Sequence, residues 1–485
     1  MTLHRPTVFW LFVLGFFVSV TLVLFYTYGY RFSPTRGIFV YTGSLTIDAN
    51  PDAISIKING EQVPDNRLGV LNKASHIAGL TPGEYQVEVS APGYQIWQKK
   101  VIIESGKSTE FWNVLLTKAT PEAIPMTDTE GAVRAFPAPK KNIIALAREK
   151  NNELTLTTYD TDAVTGKQIF SLPDAHLLDI QSDGIEWSPE SEKIIIPLEH
   201  TGKREYYVVD VETTASTLLT QFDANTPHRK FTRWHPRERA TLLYLDNQTL
   251  YQVDTRNTDW VPQMMYSNVV SYDISSGNAY TLTPNGIIMK FPLDSSDYLA
   301  EKGLQVTTSP ITINGESEYF VVMYDDSRIS LLETKTGTFW LYNKENSGEM
   351  SKVATSIRGT QFSDDGKKLL YYSDSDISVV YLRDWEVQPI RLMGTHQQII
   401  RLAGQLSQVQ WTKDYEHIFY TNGNQIQYAE LDNRDYRNIG NFLTLKESPL
   451  QLFSRFEEDR VYVISKDGLA AYDFPEAPTL FGFGV

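Results

Sequence analysis

A three-part pattern recurs along residues 125–480 of this 485-residue chain: an aromatic or apolar anchor residue, a polar turn and an apolar strand. The anchors are Phe136, Trp187, Trp234, Tyr272, Ile313, Phe362, Trp411 and Phe453, with weaker copies at 272, 313 and 453. Successive anchors lie 38 to 51 residues apart. Repeats of this length with several strands each are typical of propeller blades, because one blade cannot bury both of its faces and a closed ring can. The pattern predicts a β-propeller over 125–480 with seven or eight blades, eight being favoured.

A second signal repeats in phase with the first. Each apolar strand is followed by a pair of turn-forming residues that suits a hairpin tip. These pairs are Asn151-Asn152, Thr201-Gly202, Asp246-Asn247, Asn285-Gly286, Asp325-Asp326, Asp374-Ser375, Asn422-Gly423 and Asp467-Gly468. The polar turns after the anchors, such as Ser363-Asp364-Asp365-Gly366-Lys367, resemble those of Tol-type and dipeptidyl-peptidase-type (WD-like) propellers. That resemblance implies a fold and says little about function.

The segment from Thr7 to Tyr30 contains no charged residue. A helix that spans a bilayer needs about 20 apolar residues, and aromatic residues mark both of its ends, as Trp10 and Tyr26 do here. A cleaved signal peptide is the rival interpretation, but its apolar region is shorter and ends in small residues. We predict a retained transmembrane anchor over 1–32. Arg5 on one side nearly balances Arg31 and Arg36 on the other, so the charge rule for orientation is close to a tie.

Short alternating runs follow the anchor. Ser44–Ala49, Ile54–Ile58 and Tyr85–Val89 alternate polar and apolar residues, which is typical of half-buried strands. Asn59-Gly60, Pro82-Gly83 and Pro92-Gly93 supply turns between them. The segment Ser33–Gly37 is interpreted as a short connector before the first strand. These runs predict a small β-sandwich-like domain over 42–118.

Three stretches of this domain resemble the PEGA family: Ile56-Lys57-Ile58-Asn59-Gly60, Leu80-Thr81-Pro82-Gly83-Glu84-Tyr85 and Pro92-Gly93-Tyr94. The tetrapeptide that names the family is imperfect in Asn50-Pro51-Asp52-Ala53, where the usual glycine is missing. The resemblance implies a non-catalytic β module of the kind common in bacterial surface and envelope proteins. It is also the main reason to place the N-terminus inside and the bulk of the chain outside the cell.

Charge and cysteine content exclude several function classes. The net charge of −15 disfavours general binding to nucleic acid, whose phosphates carry the same sign. The absence of cysteine excludes disulfides, thiolate nucleophiles and cysteine-ligated zinc. The expected partners are therefore the membrane, through the N-terminal helix, and a protein or glycan on one face of the propeller.

No local catalytic motif stands out in the sequence. It lacks a G-x-S-x-G elbow, an H-E-x-x-H pair and a phosphate-binding loop. His228 and His235 are seven residues apart but flank a blade junction, which makes a metal site there improbable. Asp325-Asp326 and Asp374-Ser375-Asp376 offer oxygen ligands for Ca²⁺ but are more simply hairpin tips. We therefore assign no catalytic, cofactor-binding or metal-binding residue, expect no cofactor, and leave the binding residues unknown.

The tryptophans divide into two groups. Trp187, Trp234 and Trp411 occupy the anchor position and are predicted to be core residues, whereas Trp260, Trp340 and Trp385 fall outside it and are candidates for exposed binding residues. The leading hypothesis is a membrane-anchored binding or scaffold protein of the cell envelope, not an enzyme. A hydrolase with catalytic residues lining the propeller channel and a purely structural envelope protein remain as alternatives. Fold alone does not decide between them.

Overall fold

The structure is a computed structural model. It describes residues 4–34, 36–52, 54–64, 73–178, 183–219, 230–256, 261–295, 297–298, 300–455 and 458–474, with the side chains of 4–6 excepted. The chain begins with helix α1 (His4–Thr27). A hairpin of β1 (Tyr30–Ser33) and β2 (Ile38–Tyr41) follows directly. The predicted connector over Ser33–Gly37 is therefore wrong: Ser33 ends a strand, and Pro34, Arg36 and Gly37 lie in the turn of a hairpin whose second strand, Ile38–Tyr41, does not alternate apolar and polar residues.

Two sheets make up the small β domain. Its strands are β3 (Gly43–Asn50), β4 (Ser55–Ile58), β5 (Glu61–Gln62), β6 (Ser75–Leu80), β7 (Gly83–Ser90), β8 (Trp97–Ile103) and β9 (Ser108–Leu115). One sheet has the order β6-β3-β9 and the other β5-β4-β7-β8. Leu45, Val87 and Val101 are buried in one core between the sheets. This arrangement confirms the predicted sandwich.

Eight sheets of the described chain form the propeller. Blade 1 consists of β11 (Ala132–Pro137), β12 (Ile143–Lys150), β13 (Glu153–Asp160) and β14 (Thr165–Pro173), and blade 2 of β15 (Ala175–Leu177), β16 (Glu186–Trp187), β17 (Lys193–His200), β18 (Lys203–Asp210) and β19 (Ser216–Leu218). Blade 3 consists of β20 (Lys230–Trp234), β21 (Thr241–Asp246), β22 (Thr249–Asp254) and β23 (Gln263–Ser267), and blade 4 of β24 (Ser271–Ser275), β25 (Asn278–Leu282), β26 (Ile288–Pro292) and β27 (Leu304–Gln305).

Blades 5 to 8 complete the ring. Blade 5 consists of β28 (Tyr319–Asp325), β29 (Arg328–Glu333), β30 (Thr338–Asn343) and β31 (Met350–Ala354), and blade 6 of β32 (Gly359–Phe362), β33 (Lys368–Tyr372), β34 (Asp376–Tyr381) and β35 (His396–Arg401). Blade 7 consists of β36 (Leu406–Trp411), β37 (His417–Asn422), β38 (Gln425–Glu430) and β39 (Ile439–Thr444), and blade 8 includes β40 (Gln451–Arg455), β41 (Arg460–Ser465) and β42 (Gly468–Asp473). Strand β10 (Ile124–Pro125) pairs with β42 and supplies the outer strand of blade 8. A strand that precedes the first blade in the chain thus completes the last blade, and this pairing closes the ring.

The anchor tryptophans join neighbouring blades. Each lies at the end of the first strand of its blade, is at most 7% exposed, and donates its indole N–H to a carbonyl of the preceding blade. Trp187 bonds the Phe136 carbonyl at 2.8 Å, Trp234 that of Glu186 at 3.1 Å, and Trp411 that of Gln361 at 3.0 Å. First strands of neighbouring blades contact one another, as β24 and β28 do, so these strands line the axis. The predicted core role of the three tryptophans is confirmed.

One repeat was placed out of phase. Ile313 lies in no strand, and the first strand of blade 5 is Tyr319–Asp325. The Asp325-Asp326 tip joins the first and second strands of its blade, whereas the sequence pattern placed it after the second. The error arose because a hairpin tip has the same composition wherever it occurs in a blade.

Candidate functional site

Four ionisable side chains converge near the propeller axis from blades 2, 3 and 4. Asp183 and Glu186 belong to the inner edge of blade 2, Arg233 to β20 and Asp273 to β24. The Arg233 Nη1 lies 2.9 Å from Asp273 Oδ1. The other Asp273 oxygen accepts the Met323 N–H of blade 5 at 2.8 Å. We call Asp183, Glu186, Arg233 and Asp273 the axial cluster.

Burial raises the pKa of two carboxyl groups in the axial cluster. Burial raises the pKa of Glu186 to about 7; the Arg233 charge and the Trp234 N–H oppose this rise, while the Asp273 and Asp183 carboxylates add to it. Burial also raises the pKa of Asp183 to about 6, although the Tyr206 hydroxyl and Arg204 act against it. Glu186 therefore changes its protonation state near neutral pH. A carboxyl group of this kind is able to accept or donate a proton there.

Access to the cluster comes through Arg233, whose side chain is 42% exposed, whereas that of Asp273 is 11% exposed. Its guanidinium has five N–H donors, and among the residues that the structure describes Asp273 accepts from Nη1, so other donors can reach a carbonyl or carboxylate of a ligand. The surrounding strands are held together. The Phe231 and Phe320 rings lie 5.5 Å apart across blades 3 and 5, and Lys230 Nζ lies 3.3 Å from Glu318 Oε1. The arrangement presents a pre-positioned polar group at the inner edge of a rigid ring.

A second constellation fixes the small β domain to the propeller. Lys99 on β8 has a side chain that is 0% exposed, and its Nζ lies 2.6 Å from Glu430 Oε1 in blade 7. The same ammonium donates to the carbonyls of Asp432, Arg434 and Tyr436 at 2.8 to 3.0 Å. An ammonium has only three protons, so these acceptors surround it completely. The lysine is a buried and fully coordinated cation at the junction of the two domains.

Other contacts widen this junction. The Trp97 indole donates to the second Glu430 oxygen at 3.0 Å. The Gln388 amide donates to the Ser108 carbonyl at 3.0 Å, while its oxygen accepts the Glu110 N–H at 3.1 Å. Arg434 donates to the Glu110 carbonyl at 2.7 Å. Both sheets of the small domain therefore bond to the loops of blades 6 and 7. We call this contact the docking interface.

The aspartate pairs singled out in the sequence are occupied by basic side chains. Asp325 contacts Arg328, and Asp326 contacts Lys290 at 2.6 Å. Asp374 receives two hydrogen bonds from Arg358, and Asp376 lies 2.6 Å from Arg401. Each pair stands at a hairpin tip. Within the described residues, no group of three or more acidic or histidine side chains is placed to hold a metal ion.

The remaining candidates have other roles or lie elsewhere. His235 is buried, and its Nδ1 accepts the backbone N–H of Glu238 at 3.0 Å, which closes the turn after Trp234. His228 and Trp260 lie outside the described residues. Trp340 is half-buried on β30, the third strand of blade 5 and not its outer strand. Trp385 is half-buried under the ammonium of Lys368, 4.1 Å from its ring centre.

Sequence reasoning missed both the axial cluster and Lys99, although signals for each were present. On β8, residues Trp97, Lys99, Val101 and Ile103 share the buried face, so the strand's period of two places a lysine among core residues. A polar residue stands directly before several anchors, as in Glu186-Trp187, Arg233-Trp234, Gln361-Phe362 and Gln410-Trp411. Which of these polar residues meet across the axis depends on ring closure and is not visible in one repeat.

Comparison with known proteins finds one matching family model and several similar solved structures. Residues 42–118 match the family model of the PEGA domain. Among solved structures, the chain is similar to the β-propeller domain of Cps50 (Swd1) from Myceliophteria thermophila, with 11% identity, a TM-score of 0.42, and coverage of 73% of this chain and 99% of that one. It is also similar to Sqt1 from Saccharomyces cerevisiae, with 9% identity, a TM-score of 0.46, and coverage of 74% and 100%. No curated protein matches the chain.

Proposed function

We propose that the chain is a single-pass membrane protein of the cell envelope that holds a propeller outside the cell and binds a protein partner near the propeller axis. Residues 1–32 are the anchor, 42–118 the PEGA domain and 125–480 the propeller. The observation that carries the proposal is the docking interface around Lys99. A buried, fully coordinated lysine between the domains makes them one receptor unit.

The N-terminal helix supports retention in a membrane. Thr7–Thr27 is long and apolar enough to cross a bilayer, and none of it is buried in the protein. The chain directly after it is part of the folded domain, because Gly29 O accepts both the N–H and the hydroxyl of Thr42, at 3.0 and 2.7 Å. A signal peptidase would have to cut beside this paired segment. The orientation rests on the occurrence of PEGA modules in bacterial surface proteins.

The axial cluster supports a polypeptide partner. Arg233 presents a partly exposed guanidinium beside the carboxylates of Glu186 and Asp273, a combination that suits backbone carbonyls and polar side chains. Arginine is also enriched among the residues that dominate binding energy at protein interfaces. A rigid ring loses little conformational entropy on binding.

Site-specific photocrosslinking in native membranes tests this proposal. A photoreactive residue replaces Glu318, whose half-exposed side chain contacts Lys230 on the strand that carries Arg233, and a control replaces Val164, which is 39% exposed on blade 1. We expect one discrete heavier adduct from position 318 that weakens at least tenfold when Arg233→Ala is added. Equal adducts from both positions, or an adduct indifferent to Arg233→Ala, would contradict a partner at the axis. Adding protease to sealed vesicles of known sidedness tests the orientation.

A hydrolase is the second candidate, because three carboxyl groups converge at the axis and the pKa of Glu186 is raised to about 7 by burial. General acid–base catalysis works best with a group that titrates near the working pH. A panel of glycoside and peptide substrates, with Glu186→Gln as the control, decides between the candidates. Turnover that Glu186→Gln abolishes would establish an enzyme and displace the binding proposal.

A further inference from the structure

The hairpin between α1 and the PEGA domain has two different faces. In its register Tyr30 pairs with Tyr41, and Phe32 with Phe39. Paired residues share a face, and residues two apart along a strand do so as well. Tyr30, Phe32, Phe39 and Tyr41 therefore form one face made entirely of aromatic residues. We call it the aromatic face.

The aromatic face is half-exposed, although the Tyr41 ring at its edge also lies against Gly29 and Gly106. Its four side chains are 38 to 54% exposed. On the opposite face, Ser33 and Val40 are buried, and the guanidinium of Arg31 lies beside Gly79 on β6. Arg31, Ser33 and Val40 therefore turn toward the PEGA domain, whereas Ile38, on the same face next to the hairpin turn, stays 57% exposed. Contiguous exposed aromatic surface of this kind marks an interaction site.

The aromatic face is continuous with the surface of α1. The ring of Phe25, in the last turns of the helix, lies 5.4 Å from Tyr30 and 5.7 Å from Phe39. Arg31 ties the two elements together: its Nη1 donates to the Tyr26 carbonyl at 2.9 Å, and its guanidinium lies 3.5 Å from the Tyr26 ring centre. The helix and the hairpin present one uninterrupted apolar surface.

We infer that the aromatic face lies in the lipid headgroup region of the leaflet in which α1 ends, and that it seats the PEGA–propeller unit on the bilayer. This inference rests on the proposed membrane anchor. Tyrosine and tryptophan collect at bilayer interfaces because their rings are apolar and their polar atoms stay hydrated. Phe32 and Phe39 supply the apolar part, and Tyr30 and Tyr41 the hydroxyls. The exposed Arg36 in the hairpin turn lies where lipid phosphates would be within reach.

Fluorescence quenching by lipids tests the inference, and the chain suits it because it contains no cysteine. Single-cysteine versions of the full chain, Phe32→Cys, Phe16→Cys and Leu304→Cys, carry an environment-sensitive dye. Phe16 reports on the anchor, and Leu304, 69% exposed on blade 4, is the matched apolar control in the propeller. The proteins are reconstituted in phosphatidylcholine–phosphatidylglycerol vesicles with spin-labelled lipids whose quencher sits near the headgroup or deep in the acyl chain.

We expect the dye at Phe32 to be quenched several-fold more strongly by the shallow quencher than the dye at Leu304. The dye at Phe16 should respond best to the deep quencher. Quenching at Phe16 with no quenching at Phe32 would overturn the inference and leave the anchor standing. No quenching at Phe16 would overturn the anchor itself. A dye at Phe32 that is unquenched and shifts to the blue as the protein-to-lipid ratio rises would show that a second copy covers the face. Labelling at Phe39→Cys repeats the test at an independent position.

Discussion

At the scale of single residues, Lys99 decides how the two domains are joined. Its ammonium is 0% exposed and lies 2.6 Å from Glu430. Removing one partner of a buried ion pair leaves the other charge without compensation. We expect Lys99→Met to destabilise the detergent-solubilised full chain by about 3 to 5 kcal/mol in urea unfolding.

The neighbouring lysine is a matched control for that prediction. Lys100 is 58% exposed and lies 3.5 Å from Glu84. An exposed pair contributes about 0 to 1 kcal/mol, so Lys100→Met should change stability by no more than this. Equal effects of the two substitutions would show that the docking interface does not form as described.

The protonation of Glu186 makes the free energy of unfolding depend on pH. Because burial raises its pKa from 4.5 to about 7, the folded state binds this proton more tightly than the unfolded state. The stability that Glu186 contributes is fully present below pH 4.5 and is lost as the pH rises through 7. The stability advantage of Glu186→Gln over the unsubstituted chain should therefore grow by about 3 kcal/mol as the pH rises from below 4.5 to above 7.

Urea unfolding of both proteins from pH 4 to 8 measures this difference. Glu316→Gln serves as the control, because the Glu316 side chain is 82% exposed. A stability difference that does not change with pH would show that Glu186 does not occupy its half-buried position beside Arg233.

At the scale of elements, the anchor tryptophans Trp187, Trp234 and Trp411 fix the inner strands of their blades. Trp411 is 1% exposed and donates its indole N–H to the Gln361 carbonyl of the preceding blade at 3.0 Å. Trp411→Phe removes that donor and leaves a smaller ring in the same core. We expect a loss of about 2 to 4 kcal/mol from the unpaired carbonyl and the cavity together. Trp340→Phe on β30 should cost less than about 1 kcal/mol, and thermal unfolding compares the two.

The sequence is most informative about elements whose signal is local. Hairpin tips were predicted from residues that tolerate a positive φ, and the structure places Asn151, Asn247 and Gly423 in that conformation. The β1–β2 hairpin was missed because its aromatic face continues the apolar run of α1 and hides the period of two. Ile313 was misplaced because tip composition does not say which two strands a tip joins.

At the scale of the whole molecule, polar links join each blade of the ring to the next. They are Lys140–Glu190, Arg239–Glu192, Arg237–Asp294, Lys290–Asp326, Arg383–Glu345, Lys368–Glu416, Lys413–Asp459 and, at the closing junction, Arg455 to the Lys141 carbonyl. Pairs such as Lys140–Glu190 are exposed, whereas the Lys368 side chain is 0% exposed. Their contributions to stability should therefore differ sharply.

Double-mutant cycles measure that difference. Lys368→Met with Glu416→Leu should give a coupling energy of about 2 to 3 kcal/mol, because the pair is shielded from water. Lys140→Ala with Glu190→Ala should give less than about 1 kcal/mol, and that coupling should vanish near 1 M salt. A Lys368 coupling that disappears in salt would contradict its burial.

The candidate site forms only when the whole ring is closed, and for this reason the sequence did not reveal it. The propeller fold follows from a repeat that each strong copy displays, and the number of copies predicts seven or eight blades. Glu186, Arg233 and Asp273 meet only because three blades close around one axis, and Lys99 meets Glu430 only because the PEGA domain folds back onto blade 7. Such contacts join residues far apart in the chain, and no local pattern encodes them.

The most direct test of the membrane anchor is the intact mass of the protein that stays with membranes after an alkaline carbonate wash. We predict that the chain stays in the membrane pellet with α1 still attached, because the proposed anchor spans the bilayer and runs directly into the β1–β2 hairpin. A protein released into the wash, with the residues up to about Thr27 missing, would show that α1 is a cleaved signal. That result would contradict the membrane-anchored receptor proposed here.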